Sequence, residues 1–326
     1  MEYYFAPMEG ITGYVFRNAH HRHFNGISRY YTPFIAPGQT RRLTGRELED
    51  VRPENNKGVP VVPQILTNKA EDFLWAAGIL KEMGYGEVNL NLGCPSGTVT
   101  AKHRGAGFLA LPERLDEFLF QITGEMELMG LSLSVKTRIG VDTPEEFEEL
   151  LRIYNQYPIK QLIVHPRLLK DYYKNTPNME MFSRAAGESA SPVCYNGDLF
   201  SEERIRLFER EFPQIRSAML GRGLLSNPFL GEEGSGAIIR EEDRRRRLKA
   251  FHEDVLEGYR RAIPGDRNVL FKMKELWSYL AFSFAQREKP LKKLKKARDM
   301  ADYRAAAGWM LDELPLAKPP VFGGYS

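Results

Sequence analysis

The chain has 326 residues, of which 42% are apolar and 27% are charged, and its formal net charge is +3 at pH 7. The apolar fraction supports a sizeable core, and the length suits one closed α/β barrel of about 250 residues with a smaller appended domain. Two cysteines far apart in sequence do not suggest a disulfide framework. We find neither the pattern of a secretion signal nor an apolar run of about 18 residues, so we expect a soluble, cytoplasmic protein that does not enter a membrane.

Eight short β-rich runs alternate with amphipathic stretches in chain order. The predicted strands cover residues 3–6, 28–31, 59–65, 87–92, 131–136, 161–165, 192–196 and 217–220. Predicted helices include residues 69–83, 112–126, 144–157 and 201–211. About eight such repeats predict an α/β fold of the (β/α)8 TIM-barrel type. An open Rossmann sheet would usually have fewer strands and a Gly-x-Gly-x-x-Gly motif after the first, and none follows residues 3–6.

The pattern changes after residue 223, where a glycine-rich segment at residues 231–236 is followed by helix-forming residues. Apolar residues then recur at helical spacing up to about residue 307, which predicts a small bundle of helices. We therefore place the domain boundary between residues 238 and 239. This gives a barrel domain of residues 1–238 and a C-terminal all-α helical bundle domain of residues 239–326, with a loose terminus at residues 315–326.

The segment Asn-Leu-Asn-Leu-Gly-Cys-Pro at residues 89–95 reads as a strand that ends abruptly and places Cys94 in a loop. A free cysteine is usually a small buried apolar residue, as we expect for Cys194. Cys94 instead lies at a strand end, where barrel enzymes carry their chemistry, and Gly97, Gly105 and Gly107 follow it. We therefore predict that Cys94 is functional and that residues 96–107 form a lid.

Polar residues recur at the carboxyl ends of the other predicted strands, which meet at one mouth of a barrel. They are Pro7-Met8-Glu9, Gln64, Asn91 with Cys94, Lys136 with Arg138, His165 with Arg167, Asn196-Gly197-Asp198 and Gly221-Arg222-Gly223. Each alone could be a strand-end cap or a solvated charge, and their recurrence is what indicates a site.

The last two of these segments suit the phosphate site that barrels often form after strands 7 and 8. Arg222 could add a bidentate contact, and a cofactor with a phosphate is implied. Lys136 ends an apolar strand and needs an anion. A reduced flavin is negatively charged near N1 and O2, so Lys136 could stabilise it while Gln64 binds the other polar edge of the ring.

With these residues in place, the chain resembles the dihydrouridine synthase family, flavoenzymes that reduce selected uridines in tRNA. The matching motifs, in family order, are Ala-Pro-Met-Glu-Gly at residues 6–10, Val-Pro-Gln at 62–64, Asn-Leu-Asn-Leu-Gly-Cys-Pro at 89–95, Val-Lys-Thr-Arg at 135–138, Val-His-Pro-Arg at 164–167, Asn-Gly-Asp at 196–198 and Gly-Arg-Gly at 221–223. The resemblance covers the whole predicted barrel and extends to the helical tail.

The resemblance implies a bound FMN and a set of residues that hold it. These are Pro7, Met8, Glu9, Gln64, Lys136, His165, Asn196, Gly197, Asp198, Gly221 and Arg222. It also implies that NADPH reduces the flavin, that a hydride passes to uracil C6, and that Cys94 is the general acid at C5. A thiol suits this role because it is ordinarily protonated at pH 7 yet acidic enough to donate. Asn91, Arg138 and Tyr173 match family positions that contact the uracil.

Two basic runs in the tail predict contacts with the phosphates of tRNA. They are the four arginines at residues 244–247 and the lysine-rich run at residues 292–298. Charge runs are more often solvated helix faces, but a uridine-reducing site nearby favours RNA.

Two other enzymatic or binding functions stay open at this point. An FMN barrel could instead act on a free pyrimidine or an enone, although a small metabolite needs no basic tail. The barrel could also serve only to bind RNA, which the presence of Cys94, Lys136 and His165 argues against. We expect no metal site at the His-His-Arg-His segment of residues 20–23, since adjacent helical residues point in different directions, and nothing indicates an obligate protein partner.

Overall fold

The computed structural model describes residues 1–38, 40–320 and 322–323. Within these residues nine parallel strands form one sheet. The strands are β1 (Glu2–Phe5), β2 (Arg29–Tyr31), β3 (Val61–Val62), β4 (Gln64–Ile65), β5 (Glu87–Leu92), β6 (Ser132–Arg138), β7 (Ile159–His165), β8 (Val193–Tyr195) and β9 (Ser217–Leu220). All eight predicted β-rich runs are therefore strands.

The sheet closes at Pro63, in the order β3-β2-β1-β9-β8-β7-β6-β5-β4. β3 pairs with β2, β4 pairs with β5, and Pro63 alone separates β3 from β4. Proline has no N–H to donate, but its carbonyl accepts the N–H of Asn89 at 2.8 Å. Residues 61–65 thus act as one strand that changes its hydrogen-bonding neighbour halfway. This confirms the predicted TIM barrel.

Fourteen α-helices and four 3₁₀ helices lie within the described part of the chain. The α-helices are α1 (Tyr14–His23), α2 (Gly45–Val51), α3 (Ala70–Glu82), α4 (Gly97–Thr100), α5 (Pro112–Leu128), α6 (Glu146–Tyr154), α7 (Met179–Glu188), α8 (Glu202–Glu211), α9 (Arg222–Ser226), α10 (Leu230–Gly234), α11 (Glu241–Ala262), α12 (Asp266–Leu280), α13 (Glu288–Lys296) and α14 (Met300–Glu313). The 3₁₀ helices cover Pro53–Asn56, Gly105–Ala110, Leu169–Asp171 and Ala281–Ser283. In the described ranges no helix is both long enough and apolar enough to cross a bilayer.

The chain divides into two compact units. Unit 1 consists of Met1–Pro7, Arg29–Asp198 and Phe212–Met219, and unit 2 consists of Met8–Ser28, Leu199–Glu211 and the described residues from Leu220 onward. The domain boundary predicted between residues 238 and 239 stays a prediction.

The core of unit 1 includes a cluster of strand residues whose side chains fill the barrel interior. Its members are Tyr4, Ala6, Tyr31, Val62, Ile163, Cys194 and Met219. Cys194 is fully buried, as predicted for a strand residue, and burial raises the pKa of its thiol to about 12. A thiol in that environment stays protonated and unreactive.

Unit 2 contains the predicted bundle, in which α11, α12 and α14 pack together and α1 packs against α11. The segment 231–236 is not the simple break that its glycines predicted, because α10 lies there and is largely buried. Small residues allow this packing: a Cβ atom on Gly26 would lie only 2.5 Å from the carbonyl carbon of Gly231.

The prediction of a loose terminus at residues 315–326 is wrong for Leu316, Ala317 and Phe322. Leu316 forms an antiparallel bridge with Phe284, and the Ala317 N–H donates to the Ser283 carbonyl at 2.9 Å. Phe322 is buried against Phe200 and Phe282. Burial of these side chains fixes the segment, whereas residues 321 and 324–326 lie outside the described residues.

Candidate active site

Strand register places several predicted site residues on the interior face of the barrel in unit 1. Ile163 of the interior cluster pairs with Lys136, and Lys136 pairs with Asn91. Paired residues of neighbouring strands point to the same face of a sheet, as do residues two apart along one strand. His165, two residues beyond Ile163, therefore shares this face with Lys136 and Asn91.

Gln64 is fully buried at the start of β4 and is held by two asparagines of β5. Gln64 Nε2 donates to Asn89 Oδ1 at 2.7 Å, and Asn91 Nδ2 donates to Gln64 Oε1 at 2.7 Å. Asn89 Nδ2 in turn donates to Ser134 Oγ at 3.0 Å. Each buried amide thus has partners, as a polar group inside a barrel requires.

Cys94 is positioned through its backbone. Asn91 Oδ1 accepts the N–H of Gly93 at 3.0 Å and the N–H of Cys94 at 2.9 Å, and the Cys94 carbonyl accepts the Ala106 N–H at 3.0 Å. Gly105 lies against the other side, where a Cβ atom would be only 3.0 Å from Cys94 Cβ. Hydrogen bonds therefore hold the Cys94 backbone at both its N–H and its carbonyl, and the residue is partly accessible to solvent.

Lys136 brings a positive charge to the same face, beside Gly93. Its Nζ lies 3.7 Å from the point where a Cβ on Gly93 would be. Within the described chain this ammonium has no hydrogen bond and no carboxylate partner. Burial, and secondarily the charge of Arg138, lowers the pKa of Lys136 to about 8. The side chain is therefore still mostly charged at pH 7 and is stabilised by any anion that binds beside it.

Arg138 is buried and ties two loops together. Its Nε donates to the Gly93 carbonyl at 3.0 Å, and its Nη1 and Nη2 donate to the carbonyls of Leu168 and Tyr172, both at 2.8 Å. The half-exposed ring of Tyr173 lies over the guanidinium, with 5.5 Å between Arg138 Cζ and the ring centroid. Arg138 therefore connects the Cys94 loop with the segment that carries Tyr173, which the sequence did not indicate.

His165 lies beside Arg167, another of the predicted strand-end residues. Arg167 Nη1 lies 3.0 Å from His165 Nε2, and since a guanidinium only donates, Nε2 must accept. His165 is then neutral with its proton on Nδ1. Arg167 also forms a two-pronged ion pair with Asp198 across the ends of β7 and β8. Only the fold could reveal this pair, because its members are 31 residues apart.

Asn196 and Gly197 also occupy the strand ends of unit 1. Asn196 Nδ2 donates to the Met219 carbonyl at 2.8 Å, so its side chain links the ends of β8 and β9. A Cβ atom on Gly197 would lie 2.0 Å from the hydroxyl of Tyr195, so only glycine fits there. Pro7 ends the first segment of unit 1 and is half-buried.

The other predicted cofactor residues belong to unit 2. Met8 begins a turn in which its N–H donates to Thr12 Oγ1 at 2.8 Å, and the neighbouring Glu9 is exposed. Gly221 directly precedes α9, whose first residue is Arg222. The Arg222 guanidinium lies between the rings of Phe200 and Phe322, 5.2 Å from each centroid. This aromatic sandwich restricts the guanidinium by cation–π contacts on both sides.

The two basic runs of unit 2 differ in what they contact. In the arginine run, Arg244 pairs with Glu233, Arg247 pairs with Glu232, and Arg245 Nη2 donates to the Leu314 carbonyl at 2.8 Å. These three arginines therefore contact other residues of unit 2, and the contact of the run with tRNA phosphates stays a prediction.

The lysine run is exposed on the surface of unit 2, and its predicted contact with tRNA phosphates stays a prediction. The lysines of α13 are exposed, and none has a hydrogen bond or ion pair within the described ranges. We call the side chains of Lys292, Lys293, Lys295 and Lys296 the lysine patch.

The segment His20–His23 has one carboxylate neighbour that the sequence did not indicate. His23 Nε2 lies 2.6 Å from Asp254 Oδ2, and Arg22 donates to the same oxygen at 2.6 Å. His20 is buried, and burial lowers the pKa of its imidazole to about 3. Among the residues described, no group of three or more His, Cys, Asp or Glu side chains could hold a metal.

Comparison with known proteins gives consistent matches. The family described as dihydrouridine synthase matches residues 4–273 of the chain. The chain is 29% identical over 237 residues to tRNA-dihydrouridine(16) synthase of Pseudomonas putida, covering 71% of this chain and 72% of that protein. It is 28% identical over 242 residues to a probable tRNA-dihydrouridine synthase of Staphylococcus epidermidis, covering 70% of each.

Solved structures of similar fold are more distant in sequence. Morphinone reductase matches with a TM-score of 0.50 and 13% identity, over 77% of this chain and 88% of that chain. A variant of NCR from Zymomonas mobilis matches with a TM-score of 0.51 and 11% identity, over 74% of this chain and 90% of that chain. At these identities the likeness supports the shared fold alone.

Proposed function

Because the chain belongs to the dihydrouridine synthase family, we propose that it reduces the C5=C6 bond of specific uridines in tRNA to 5,6-dihydrouridine, as an FMN-dependent oxidoreductase that uses NADPH. The observation that carries the proposal is the placement of Lys136 and Asn91 on one interior face, with Asn91 holding the backbone of Cys94. This brings an unpaired cation and a thiol to the same end of the barrel.

FMN fits the residues of unit 1 on physical grounds. The Lys136 ammonium has no anionic partner within the described chain, and a reduced flavin ring offers one. Gln64 still has one N–H and one lone pair to offer to the flavin. Bound FMN would supply the hydride.

Eleven residues are proposed to hold FMN, with the family resemblance as support for each. They are Pro7, Met8, Glu9, Gln64, Lys136, His165, Asn196, Gly197, Asp198, Gly221 and Arg222. Arg222 is suited to the phosphate, because its guanidinium is restricted between two rings before any ligand binds. Asp198 acts through Arg167, which contacts Nε2 of His165 and so fixes its tautomer.

Cys94 is the proposed proton donor at uracil C5. A general acid must be held within hydrogen-bonding reach of its target, and the backbone contacts of Cys94 supply that restraint. Asn91, Arg138 and Tyr173 are proposed to contact the uracil. Asn91 Nδ2 keeps a second hydrogen for this purpose, and the ring of Tyr173 is half-exposed beside the Arg138 guanidinium.

The tRNA is proposed to contact the lysine patch of unit 2. Exposed ammonium groups without internal partners can each neutralise a phosphate at little cost, whereas paired arginines would first have to break a bond. Access to the barrel requires the target base to leave its stack.

One experiment tests the activity and its substrate together. Purified protein is loaded with FMN, incubated with NADPH and unmodified tRNA, and dihydrouridine is mapped along the RNA position by position. Parallel reactions contain free uracil, or NADH in place of NADPH. We expect dihydrouridine at defined positions of tRNA only. Product from free uracil but not from tRNA would contradict the proposal and favour a free-pyrimidine reductase, and FMN binding without turnover would favour an RNA-binding barrel.

A further inference from the structure

The four side chains Ser134, Asn89, Gln64 and Asn91 form one continuous chain of hydrogen bonds that ends at the Cys94 loop. From Ser134 to Gln64 the bonds are Asn89 Nδ2 to Ser134 Oγ at 3.0 Å and Gln64 Nε2 to Asn89 Oδ1 at 2.7 Å. Asn91 Nδ2 then donates to Gln64 Oε1 at 2.7 Å, and Asn91 Oδ1 accepts the N–H groups of Gly93 and Cys94. Gln64 and Asn89 are fully buried.

The direction of this chain is dictated from its Cys94 end. Backbone N–H groups can only donate, so the Asn91 atom that faces Gly93 and Cys94 must be the oxygen. The other Asn91 atom is then the NH₂ group, which requires an oxygen on Gln64 at that point. Gln64 must consequently turn its NH₂ group toward Asn89. The amide of Gln64 therefore has one permitted orientation.

We propose that Asn91 is a positioning residue that sets the direction of the Gln64 amide and, with the same side chain, fixes the backbone of Cys94. The proposal rests on the proposed function for the roles of Gln64 and Cys94, since these are the flavin contact and the acid that Asn91 would hold in a common frame. Asn91 would therefore have two roles. One is the proposed contact with uracil, and the other is this positioning role, which does not require bound substrate.

The far end of the chain supplies a control, because the Ser134 hydroxyl can donate as well as accept. In Asn91→Asp the carboxylate still accepts from Gly93 and Cys94, but it can no longer donate to Gln64. Gln64 must then rotate so that its NH₂ group faces residue 91, and Asn89 must rotate so that Ser134 donates to it. The hydrogen bonds between the side chains are all kept, with donor and acceptor exchanged. We therefore expect the variant to fold.

Asn89→Asp makes the same chemical change one step along the chain without reversing Gln64. The carboxylate accepts from Gln64 Nε2, as Asn89 Oδ1 does, and accepts from Ser134 in place of donating to it. Both variants thus introduce one buried carboxylate on β5. Only Asn91→Asp turns the Gln64 amide over, and only its carboxylate lies at the position that pairs in register with Lys136.

The first measurement is the dissociation constant for FMN of the wild type and both variants. Reversal of Gln64 removes about one hydrogen bond to the flavin, so we expect Asn91→Asp to weaken FMN binding about tenfold more than Asn89→Asp does. Equal weakening by the two variants would overturn the role of Asn91 in directing Gln64.

The second measurement uses the flavin-free protein and follows hydrogen exchange of the Gly93 and Cys94 amides. We expect wild type and Asn91→Asp to protect both amides, and Asn91→Ala to exchange them about tenfold faster or more, since the oxygen that accepts from them is gone. Unchanged protection in Asn91→Ala would overturn the role of Asn91 at Cys94. If the wild type failed to bind FMN, both the proposed function and the role of Asn91 in directing Gln64 would be contradicted. The hydrogen-exchange result would still test the role of Asn91 at Cys94.

Discussion

At the scale of single residues, the two cysteines differ in solvent access and in their position in the fold. Cys94 is partly accessible and lies in a loop fixed by Asn91, whereas Cys194 is fully buried in β8. A proton donor must reach its substrate, so the difference in access supports the proposal that Cys94, and not Cys194, is the proton donor.

Replacing Cys94 by alanine should separate the two half-reactions. We expect reduction of FMN by NADPH to continue at about the wild-type rate, while uridine reduction slows about 10²-fold or more because the general acid is lost. Stopped-flow absorbance of the flavin, followed with NADPH and then with tRNA, measures both steps. Cys194→Ala is the matched control and should retain both half-reactions. Intact uridine reduction in Cys94→Ala would show that another group donates the proton.

Lys136 carries an electrostatic cost that a bound anion would offset. Its pKa is lowered from 10.5 to about 8, so the folded protein holds the proton less tightly than the unfolded chain. Below pH 8 the charged lysine therefore destabilises the fold, and the cost is relieved as the pH rises from 8 to 10.5.

Lys136→Met should stabilise the flavin-free protein and weaken its hold on FMN. We expect the free energy of unfolding to rise by about 1 to 3 kcal/mol at pH 7, because an unpaired, partly desolvated charge is removed, and to change little at pH 10.5. Urea unfolding at both pH values and FMN titration measure the two effects, with the exposed Lys57→Met as the control. Destabilisation of the flavin-free protein at pH 7 would contradict an unpaired charge.

At the scale of secondary-structure elements, the strands and most helices were predictable because their period is local. β4 and β5 each follow from apolar residues at short range, and only the change of partner at Pro63 needed the closed barrel. Contacts between distant elements were not predictable from the residues. The ion pair of Arg167 with Asp198 depends on which strand ends lie side by side. The hydrogen bonds of Asn91 with Gln64 and with the Cys94 backbone depend on it too.

A buried histidine joins three helices of unit 2. Trp277 Nε1 of α12 donates to Tyr303 Oη of α14 at 2.9 Å, which leaves the Tyr303 hydroxyl hydrogen for His252 Nε2 of α11 at 2.6 Å. His252 is therefore an acceptor at Nε2 and neutral, and burial lowers its pKa to about 4.

This histidine should make unit 2 sensitive to acid. The unfolded chain binds the His252 proton near pH 6.5 but the folded chain only near pH 4, so the free energy of unfolding should fall by about 1.4 kcal/mol per pH unit across that window. His252→Gln keeps an acceptor for Tyr303 and cannot titrate, so its unfolding should lack this part of the slope. Urea unfolding between pH 7 and pH 4 measures the effect, and His103→Gln, at an exposed position, should leave the slope unchanged. Equal slopes in wild type and His252→Gln would contradict a neutral, buried His252.

At the scale of the whole molecule, the small net charge of +3 conceals two kinds of basic residue. Arg244 and Arg247 are paired with buried glutamates and also lie over the ring of Phe229, at 4.8 Å from its centroid in both cases. The lysine patch on α13 has no such partners within the described residues. Charge runs that look alike in sequence therefore divide into one that stabilises the fold and one that is available to a ligand.

This division predicts opposite outcomes for two pairs of substitutions. Lys292→Gln with Lys296→Gln removes two charges from one face of α13, so tRNA affinity should fall about tenfold at physiological salt and the slope of log K against log salt should decrease by about 1 to 2. The free energy of unfolding should stay within about 0.5 kcal/mol of the wild type, because these side chains are exposed and have no hydrogen bond or ion pair within the described residues.

Arg244→Gln should do the reverse, because it leaves the buried Glu233 carboxylate without its charged partner and with only the neutral amide of Asn227. We expect a loss of about 3 kcal/mol or more in unfolding free energy and an unchanged salt slope for tRNA binding by the fraction that remains folded. Filter binding at several salt concentrations and urea unfolding measure both quantities in all variants. Lys57→Gln with Arg114→Gln, which removes two exposed charges from unit 1, controls for net charge. A salt slope reduced equally by that control and by the α13 pair would mean that tRNA responds to overall charge and not to the lysine patch.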